Sequence, residues 1–356
     1  MTQFDPTPAG QGLNFKKIGK EGLMKKIVGI VLVVILGLGC LSVFAEEKPK
    51  IMITTGGIGG VYYYYGTTVA EILSKHAGVE ATAIQTAASV DNLLLIQRRT
   101  NPGKNTYYLG LVLPDSAYLA YTGKIERFKD KPAKEIRVMW AMYPNILHIV
   151  AAPGSGIKTV TDLKGKRVST GAPGSGTEIE AFMVLEAAGL TTTDLAKQER
   201  LGASESAESL SHGTLDAYFW SGGLPTSSVT ELATTLSRKG SKIELVNLDP
   251  KGELVKKLLQ KFPGVMEAGV IPKEVYNTDK DNHTLAFWNL FMGPNSLPEK
   301  YAYAITKALF ENQDQLQKAV KAAKDNTLEN AVKFIHGAIP YDPGSLRYYK
   351  EKGALK

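Results

Sequence analysis

The chain has 356 residues and a formal net charge of +7, which falls to about +4 once the five basic and two acidic residues of 1–45 are set aside. So small an excess argues against a basic stripe for nucleic acid, and the remaining length suits two domains with a core each. Cys40 is the only cysteine, so the chain beyond it has no disulfide or thiolate chemistry.

The first 45 residues have the layout of a secretory signal peptide. Two lysines precede an apolar run over 27–44, and the small or apolar residues that end the run predict cleavage after Ala45. Met24 stands directly before the lysines, so 1–23 is predicted to be an upstream extension. We therefore exclude residues 1–45 from the fold and predict a periplasmic protein.

Cys40 leaves a second possibility open for the N-terminus. A lipoprotein would be cut before Cys40 and tethered through it, but Gly37 stands where such sites usually carry leucine. We rank this alternative second, and the mass of the mature chain distinguishes the two.

Strand-like and helix-like segments alternate from residue 51 onward, which predicts an α/β fold with helices on both faces of parallel sheets. Pro298 and Glu299 are predicted to open one long helix that reaches Val320. The predicted strands are 51–54, 79–85, 108–113, 138–142, 146–152, 167–170, 216–221, 243–248 and 285–292.

Two stretches, 142–145 and the one around Leu285, are predicted to cross between two sheets rather than turn within one. A chain that leaves one α/β lobe, builds a second and returns forms a cleft between them, where ligands tend to bind. We predict that lobe I comprises 46–145 plus 286–356 and that lobe II comprises 146–285.

The first glycine-rich turn, 56–60, follows the first predicted strand and precedes a helix that opens on four tyrosines. Free backbone N–H groups and the positive end of a helix suit an anion there. Tyr62 stands where the dinucleotide fingerprint wants a third glycine, so that fingerprint is incomplete. Four adjacent tyrosines point in several directions, so one or two are predicted to face a ligand. A turn without any ligand is the structural alternative.

A second glycine-rich turn, 171–178, follows the strand 167–170 and precedes a helix over 178–188. Its spacing resembles a P-loop, but Thr177 occupies the place of the required lysine, which argues against phosphate transfer. The hydroxyls of Ser175 and Thr177 beside backbone N–H groups suit a carboxylate. The same residues would also serve as a helix cap.

Three further side chains lie at the ends of predicted strands. Ser89 is predicted to cap the helix that follows it, and it would also face a ligand if that cap lies in the cleft. Asp115 is placed to receive an ammonium group or to cap a helix, and Trp220 to form an apolar wall or part of the core.

The motifs of common hydrolases and zinc enzymes are missing from the sequence. Neither G-x-S-x-G nor H-E-x-x-H occurs, and the five histidines are scattered without metal-ligand spacing. We therefore predict a protein that is not an enzyme and that needs no metal or cofactor.

Five segments occur in the order found in the TAXI family, which the chain resembles from about Ile51 to Phe310. This family comprises the extracytoplasmic solute-binding receptors of tripartite ATP-independent periplasmic (TRAP) transporters. The segments are TTGGIGGVYY, SVDN, PDSAYLAYTG, DLKGKRVSTGAPGSGTE and LDAYFWSGGLP.

The resemblance implies a type II periplasmic-binding-protein fold, in which two lobes close on glutamate or a related carboxylate and deliver it to TRAP membrane permease subunits. We expect a monomer that binds no nucleic acid. A receptor for an ABC transporter or a sensor kinase remains the alternative. The ligand-binding residues implied by the resemblance, together with Trp220, are Thr55, Gly56, Gly57, Tyr62, Tyr63, Ser89, Asn92, Asp115, Gly174, Ser175, Gly176 and Thr177.

The chain departs from the family pattern at the rim of the expected pocket. Ala87 and Ala88 stand where the family tends to have glycines, and Pro114 replaces a small polar residue before Asp115. These departures bear on the identity of the ligand more than on the binding role.

Overall fold

The computed structural model describes Met24 and residues 47–355. The predicted signal peptide, the upstream extension and Cys40 lie outside the described residues. Within the described part, none of the helices combines the length and apolar character needed to cross a bilayer.

Helices and strands alternate along the chain, as the sequence predicts. The strands are β1 Lys50–Thr54, β2 Glu80–Ile84, β3 Thr106–Val112, β4 Ile136–Ala151, β5 Arg167–Ser169, β6 Lys197–Glu199, β7 Ala217–Gly222, β8 Glu244–Leu245, β9 Glu267–Ile271 and β10 Asn282–Pro294. The helices are α1 Val61–His76, α2 Ser89–Arg99, α3 Pro114–Tyr121, α4 Gly176–Ala187, α5 Ala203–Ser211, α6 Ser227–Arg238, α7 Glu253–Lys261, α8 Lys273–Tyr276, α9 Glu299–Glu311, α10 Gln313–Ala319, α11 Leu328–Ala331 and α12 Pro343–Glu351.

The strands form one mixed sheet in the order β2-β1-β3-β10-β4-β7-β5-β6, with β8 added to β4 and β9 to β10. Parallel pairs lie at both ends of this order, β1 with β2 and β3, and β5 with β6 and β7. The long strands β4 and β10 run antiparallel in the middle. The prediction of two separate sheets is therefore wrong, because β4 and β10 pass continuously from one half to the other.

Strand β4 joins two segments that the sequence analysis separated at Pro144. Pro144 lies opposite Trp288 of β10, and the pairing of the two strands shifts register between Trp288 and Leu290 and again between Phe291 and Met292. Because proline has no N–H to donate, it fits beside such an irregularity without breaking the strand.

The predicted helix from Pro298 to Val320 is two helices, α9 and α10, which are separated at Asn312. The Asn312 side chain donates to the carbonyl of Ala308 at 2.8 Å, and its backbone leaves the helical region. A short polar side chain that bonds to nearby backbone competes with helix continuation, so the break falls there.

Helix α1 packs on the sheet through the apolar stripe that its sequence predicts. Val61, Tyr65, Val69, Ile72 and Leu73 are all buried, and burying one large apolar side chain contributes about 1.5–3 kcal/mol. The fit is tight, because a Cβ on Gly66 would lie 2.3 Å from the methyl carbon of Thr55. A glycine is therefore required at this contact.

Buried apolar side chains form three clusters along the sheet. One draws on residues 51–143 and 290–349, whereas the other two draw on 146–287 together with Leu113. This division supports the lobe boundaries near 145 and 285, which remain a prediction.

Candidate functional site

A cavity with about 640 Å³ of space between protein atoms, part of it open to solvent, lies between the two glycine-rich turns. No lining residue carries a formal charge. The lining residues are Gly56, Gly57, Gly60, Val61, Tyr62, Thr86, Ala87, Ala88, Ser89, Leu113, Asn145, Gly171, Ala172, Ser175, Gly176, Thr177, Leu201, Gly202, Ala203, Trp220, Ser221 and Gly222.

Four helices begin at this cavity. The N-terminal residues of α1, α2, α4 and α5 all belong to its wall, and the helices have 16, 11, 12 and 9 residues. The first N–H groups of a helix have no partner within the helix, and the helix dipole is positive at that end. A wall of this kind favours an anion without a cationic side chain, although two N–H groups at the start of α2 already donate to the carbonyl of Gly174.

The turn before α1 is built from glycines for a steric reason. Gly59 has φ +89°, and a Cβ there would lie 2.3 Å from the hydroxyl of Ser204. A Cβ on Gly60 would lie 3.0 Å from the ring of Trp220. The absence of side chains thus lets the turn reach across the cavity to the aromatic wall.

The prediction that Ser89 caps α2 is wrong. Ala88 is the N-cap residue, with φ 91°, and no side chain caps this helix. The N–H groups of Val90 and Asp91 donate to the carbonyl of Gly174, at 3.1 and 3.2 Å, so the second glycine-rich turn provides the cap. Ser89 Oγ accepts the N–H of Leu113 at 3.0 Å instead.

The second glycine-rich turn both caps its own helix and lines the cavity. Ser175 is the N-cap of α4, and its Oγ accepts the N–H of Glu178 at 3.1 Å. Thr177 Oγ1 accepts the N–H of Ser221 at 3.2 Å. The capping role and the cavity position therefore coexist in Ser175.

Five of the predicted site residues are not part of the cavity wall. Thr55 donates to the carbonyl of Ile84 at 2.8 Å, and Asn92 donates to two backbone carbonyls at 2.7 Å. The Gly174 carbonyl accepts N–H groups from the first turn of α2. The five are Thr55, Tyr63, Asn92, Asp115 and Gly174, whereas Gly56, Gly57, Tyr62, Ser89, Ser175, Gly176, Thr177 and Trp220 line the cavity.

Several lining residues were not predicted from the sequence. Thr86 and Asn145 have polar side chains, and 201–203 supplies the start of α5. The Leu201-Gly202-Ala203 turn follows β6, a strand of three polar residues that gives no apolar signal. A glycine directly before a helix was the available clue.

Tyr62 joins the cavity wall to the centre of the sheet. Its hydroxyl donates to Oδ1 of Asn289, whose Nδ2 donates to Oδ1 of Asn145 at 2.8 Å. Asn145 Nδ2 in turn donates to the carbonyl of Ser221 at 3.2 Å. Burial, and then the nearby carboxyl of Glu180, raise the pKa of Tyr62 well above its ordinary value, so the phenol stays a neutral donor.

The rims of the cavity contact each other on the solvent side. Ser227 Oγ donates to the carbonyl of Gly59 at 2.9 Å, and Ser204 Oγ donates to the carbonyl of Ile58 at 3.2 Å. With the bonds from α2 to Gly174, these contacts hold the cleft closed. Among the described residues, no group of three or more His, Cys, Asp or Glu side chains is placed to hold a metal ion.

A family model described as the NMT1-like family matches residues 53–353 of the chain. The chain belongs to the NMT1-like family. This match spans both glycine-rich turns and both long strands.

Solved structures establish the fold of this NMT1-like protein. The periplasmic binding protein BugD has a TM-score of 0.52 at 13% identity, covering 87% of this chain and 94% of that one. MatC from Rhodopseudomonas palustris, with bound malate, has a TM-score of 0.51 at 12% identity, covering 80% and 93%. The predicted periplasmic-binding-protein fold, of type II, is confirmed.

Proposed function

We propose that this NMT1-like protein is a monomeric extracytoplasmic receptor, not an enzyme, that captures a small carboxylate such as a glutamate-like amino acid or a related organic acid. The observation that carries the proposal is the convergence of four helix N-termini on one uncharged cavity. Backbone N–H groups at helix starts stabilise a carboxylate without a lysine or arginine. A receptor needs only different ligand affinities in its open and closed forms.

Two further observations support a small organic acid. MatC, which shares the fold, is described with bound malate, itself a small carboxylate. The hydroxyls of Ser175 and Thr177, which line the cavity, add donors beside the helix starts. Tyr62 and Ser89 extend the same polar wall on the opposite side.

For delivery we propose a TRAP-type secondary transporter, on the resemblance of the glycine motifs to the TAXI family. An ABC transporter or a sensor kinase is the alternative partner, because one fold serves several outputs. Uptake assays in vesicles separate them. Uptake driven by an ion gradient without ATP supports TRAP delivery, whereas uptake that requires ATP contradicts it.

The binding proposal is tested by thermal unfolding. The purified protein is unfolded and refolded to remove carried-over ligand, and its midpoint is followed against amino acids, dicarboxylates, keto acids and sugars. A ligand that binds only the folded state raises the melting midpoint as its concentration increases. At one hundred times its Kd, it adds about 2.7 kcal/mol to the free energy of unfolding. A shift with carboxylates is expected. No shift with any acid would contradict the proposal.

The second glycine-rich turn gives the matching mutational prediction. Ser175→Ala and Thr177→Val should each weaken carboxylate binding by roughly 1–3 kcal/mol, because each removes a hydroxyl beside the ligand. Ser175→Ala should also lower stability by about 0.5–2 kcal/mol through loss of the α4 cap. Thr327→Ala is the control, because Thr327 Oγ1 caps α11 by accepting the N–H of Asn330 at 3.1 Å and does not line the cavity.

Calorimetric titration of the ligand found in the panel measures these effects. Thr327→Ala should lose stability and keep its affinity. Unchanged affinity in both Ser175→Ala and Thr177→Val would remove this turn from the binding site.

A further inference from the structure

Two carboxyl groups are buried just behind the cavity wall. Asp115 lies in the first turn of α3 and Glu180 lies in α4, and both are 0% exposed. Neither carboxyl has a hydrogen-bond partner at good geometry. Because buried polar atoms are nearly always partnered, two orphaned carboxyls at one place indicate a missing ligand.

Two hydroxyls lie beside the carboxyls. Ser116 Oγ lies close enough to Asp115, and Ser221 Oγ close enough to Glu180, to lower the pKa of the neighbouring carboxyl as a hydrogen-bond donor. Both serines are buried, at 0% and 4% exposure, and neither Oγ makes a hydrogen bond at good geometry. These four side chains form the acidic recess. Ser221 belongs also to the cavity wall, so the recess adjoins the cavity.

The acidic recess lies where α3 and α4 meet. A Cβ on Gly176, the first residue of α4, would lie 3.2 Å from Ser116 Oγ and 2.4 Å from the side chain of Leu113. Asp115 and Glu180 interact electrostatically across this contact. The recess is thus shared between the segment around β3 and the segment around β5.

The recess contains no basic side chain that would balance the negative charge of its carboxyls once they ionise. No Lys, Arg or His side chain of the described residues hydrogen bonds to either carboxyl. The ionisable groups that face the pair are Tyr62, whose phenol is neutral, and each carboxyl itself. Burial raises the pKa of Asp115 to about 7, and burial and Asp115 together raise the pKa of Glu180. A cation in the recess would reverse both effects.

We propose that the acidic recess is a binding site for one small monovalent cation, either Na⁺ or the ammonium group of a bound amino acid. Carboxylate and hydroxyl oxygens suit such a hard cation, and Ser221 connects the recess to the cavity where a carboxylate would bind. Binding of one cation displaces one of the protons that the closed form otherwise holds on the carboxyls. The ammonium case rests on the proposed function, whereas the Na⁺ case does not.

Thermal unfolding at pH 8 tests the proposal, with NaCl compared against choline chloride at equal ionic strength. Choline is much larger than Na⁺ and has no N–H to donate, so Na⁺ should raise the midpoint of the wild type by roughly 2–4 °C over choline. The ammonium case is tested in choline with an amino acid against its deaminated analogue. There the amino acid should give the larger shift. Either preference should fall at pH 5, because protons then occupy the carboxyls.

Asp115→Asn and Glu180→Gln are the test variants. Each should abolish the preference seen in the wild type, for Na⁺ over choline or for the amino acid over its analogue. If one variant fails to fold, the other still tests the proposal. Asp342→Asn is the matched control, since Asp342 is also buried, at 2% exposure, but caps α12 instead. It should keep the wild-type preference.

The proposal is overturned if the wild type shows neither a preference for Na⁺ over choline nor one for the amino acid over its analogue. It is equally overturned if the preference survives in both Asp115→Asn and Glu180→Gln. The proposed function fails separately, through the absence of any midpoint shift with carboxylates while the Na⁺ effect remains.

Discussion

His148 lies on β4 with its ring completely buried, and its two nitrogens have different partners. Nδ1 lies 2.8 Å from the carbonyl of Ile146, and Nε2 lies 3.0 Å from the hydroxyl of Tyr276. A carbonyl only accepts, so Nδ1 carries the proton and Nε2 accepts from the phenol. Burial lowers the pKa of His148 to about 4, from an ordinary value of 6.5.

His148 should make stability depend on pH in the acid range. Between about pH 6.5 and pH 4, this histidine is protonated in the unfolded chain but stays neutral in the folded protein. The free energy of unfolding therefore falls as the pH drops through this window, by roughly 3 kcal/mol at most. His148→Gln should reduce this loss. Urea unfolding at several pH values measures it, with the exposed His212→Gln as control. An unchanged pH slope in His148→Gln would assign the effect to other groups.

The sequence identified those residues of the cavity wall whose signal is local. Gly56, Gly57, Ser175 and Thr177 lie in turns that a strand and a helix flank, and all four line the cavity. Asn145 could not be found this way, because it reaches the cavity from the middle of a strand through the packing of β4 on β7. The orphaned state of Glu180 depends likewise on its surroundings in three dimensions.

Among the secondary-structure elements, α9 and α12 make an unusually close contact. Gly344, in the first turn of α12, lies so near α9 that a Cβ there would be 2.4 Å from the carbonyl oxygen of Glu299. It would also lie 2.6 Å from the backbone nitrogen of Tyr303. Backbone atoms cannot rotate away as a side chain can, so the two helices would have to separate.

Gly344→Ala should therefore destabilise the protein by about 1–3 kcal/mol through overpacking. Gly103→Ala is the control, because Gly103 is exposed and a Cβ there meets only a side-chain oxygen at 3.4 Å. The control should be neutral or gain a few tenths of a kcal/mol from reduced unfolded-state entropy. Chemical unfolding measures both. A neutral Gly344→Ala would mean that α12 is free to shift.

Element boundaries follow the sequence closely where periodicity is strong. The strands β1, β2 and β3 begin and end within two residues of their predicted limits. The strand β9 was missed because three of its five residues are exposed, and β6 was missed because it is short and polar. Pairing with β10 and β5 defines these two strands, and pairing partners are not readable from a segment alone.

At the scale of the whole molecule, the structure shows a closed cleft whose two sides meet at Gly176. A Cβ there would lie 2.4 Å from the Leu113 side chain and 2.8 Å from Ser89 Oγ, both on the opposite side. We expect these contacts to be lost when the cleft opens. A side chain at 176 is therefore expected to oppose closure more than folding.

Gly176→Ala should weaken ligand binding by at least about 1.4 kcal/mol, a factor of ten, and leave the stability of the ligand-free protein nearly unchanged. Calorimetry gives the affinity, and small-angle scattering gives the compaction on adding ligand. The variant should compact less than the wild type. Equal affinity and equal compaction would show that closure tolerates a methyl group at this position.

We expect the central pair of strands, β4 and β10, to guide such a closure. β4 and β10 cross together between the halves, and their two register shifts lie between 288 and 292. Irregular pairing bends and twists a strand locally while the hydrogen bonds on either side stay intact. We therefore expect the ribbon to twist at these points when the halves rotate, and to favour neither the open nor the closed form strongly. The balance between open and shut is then set by the groups inside the cleft, so small changes there should retune affinity without redesign of the scaffold.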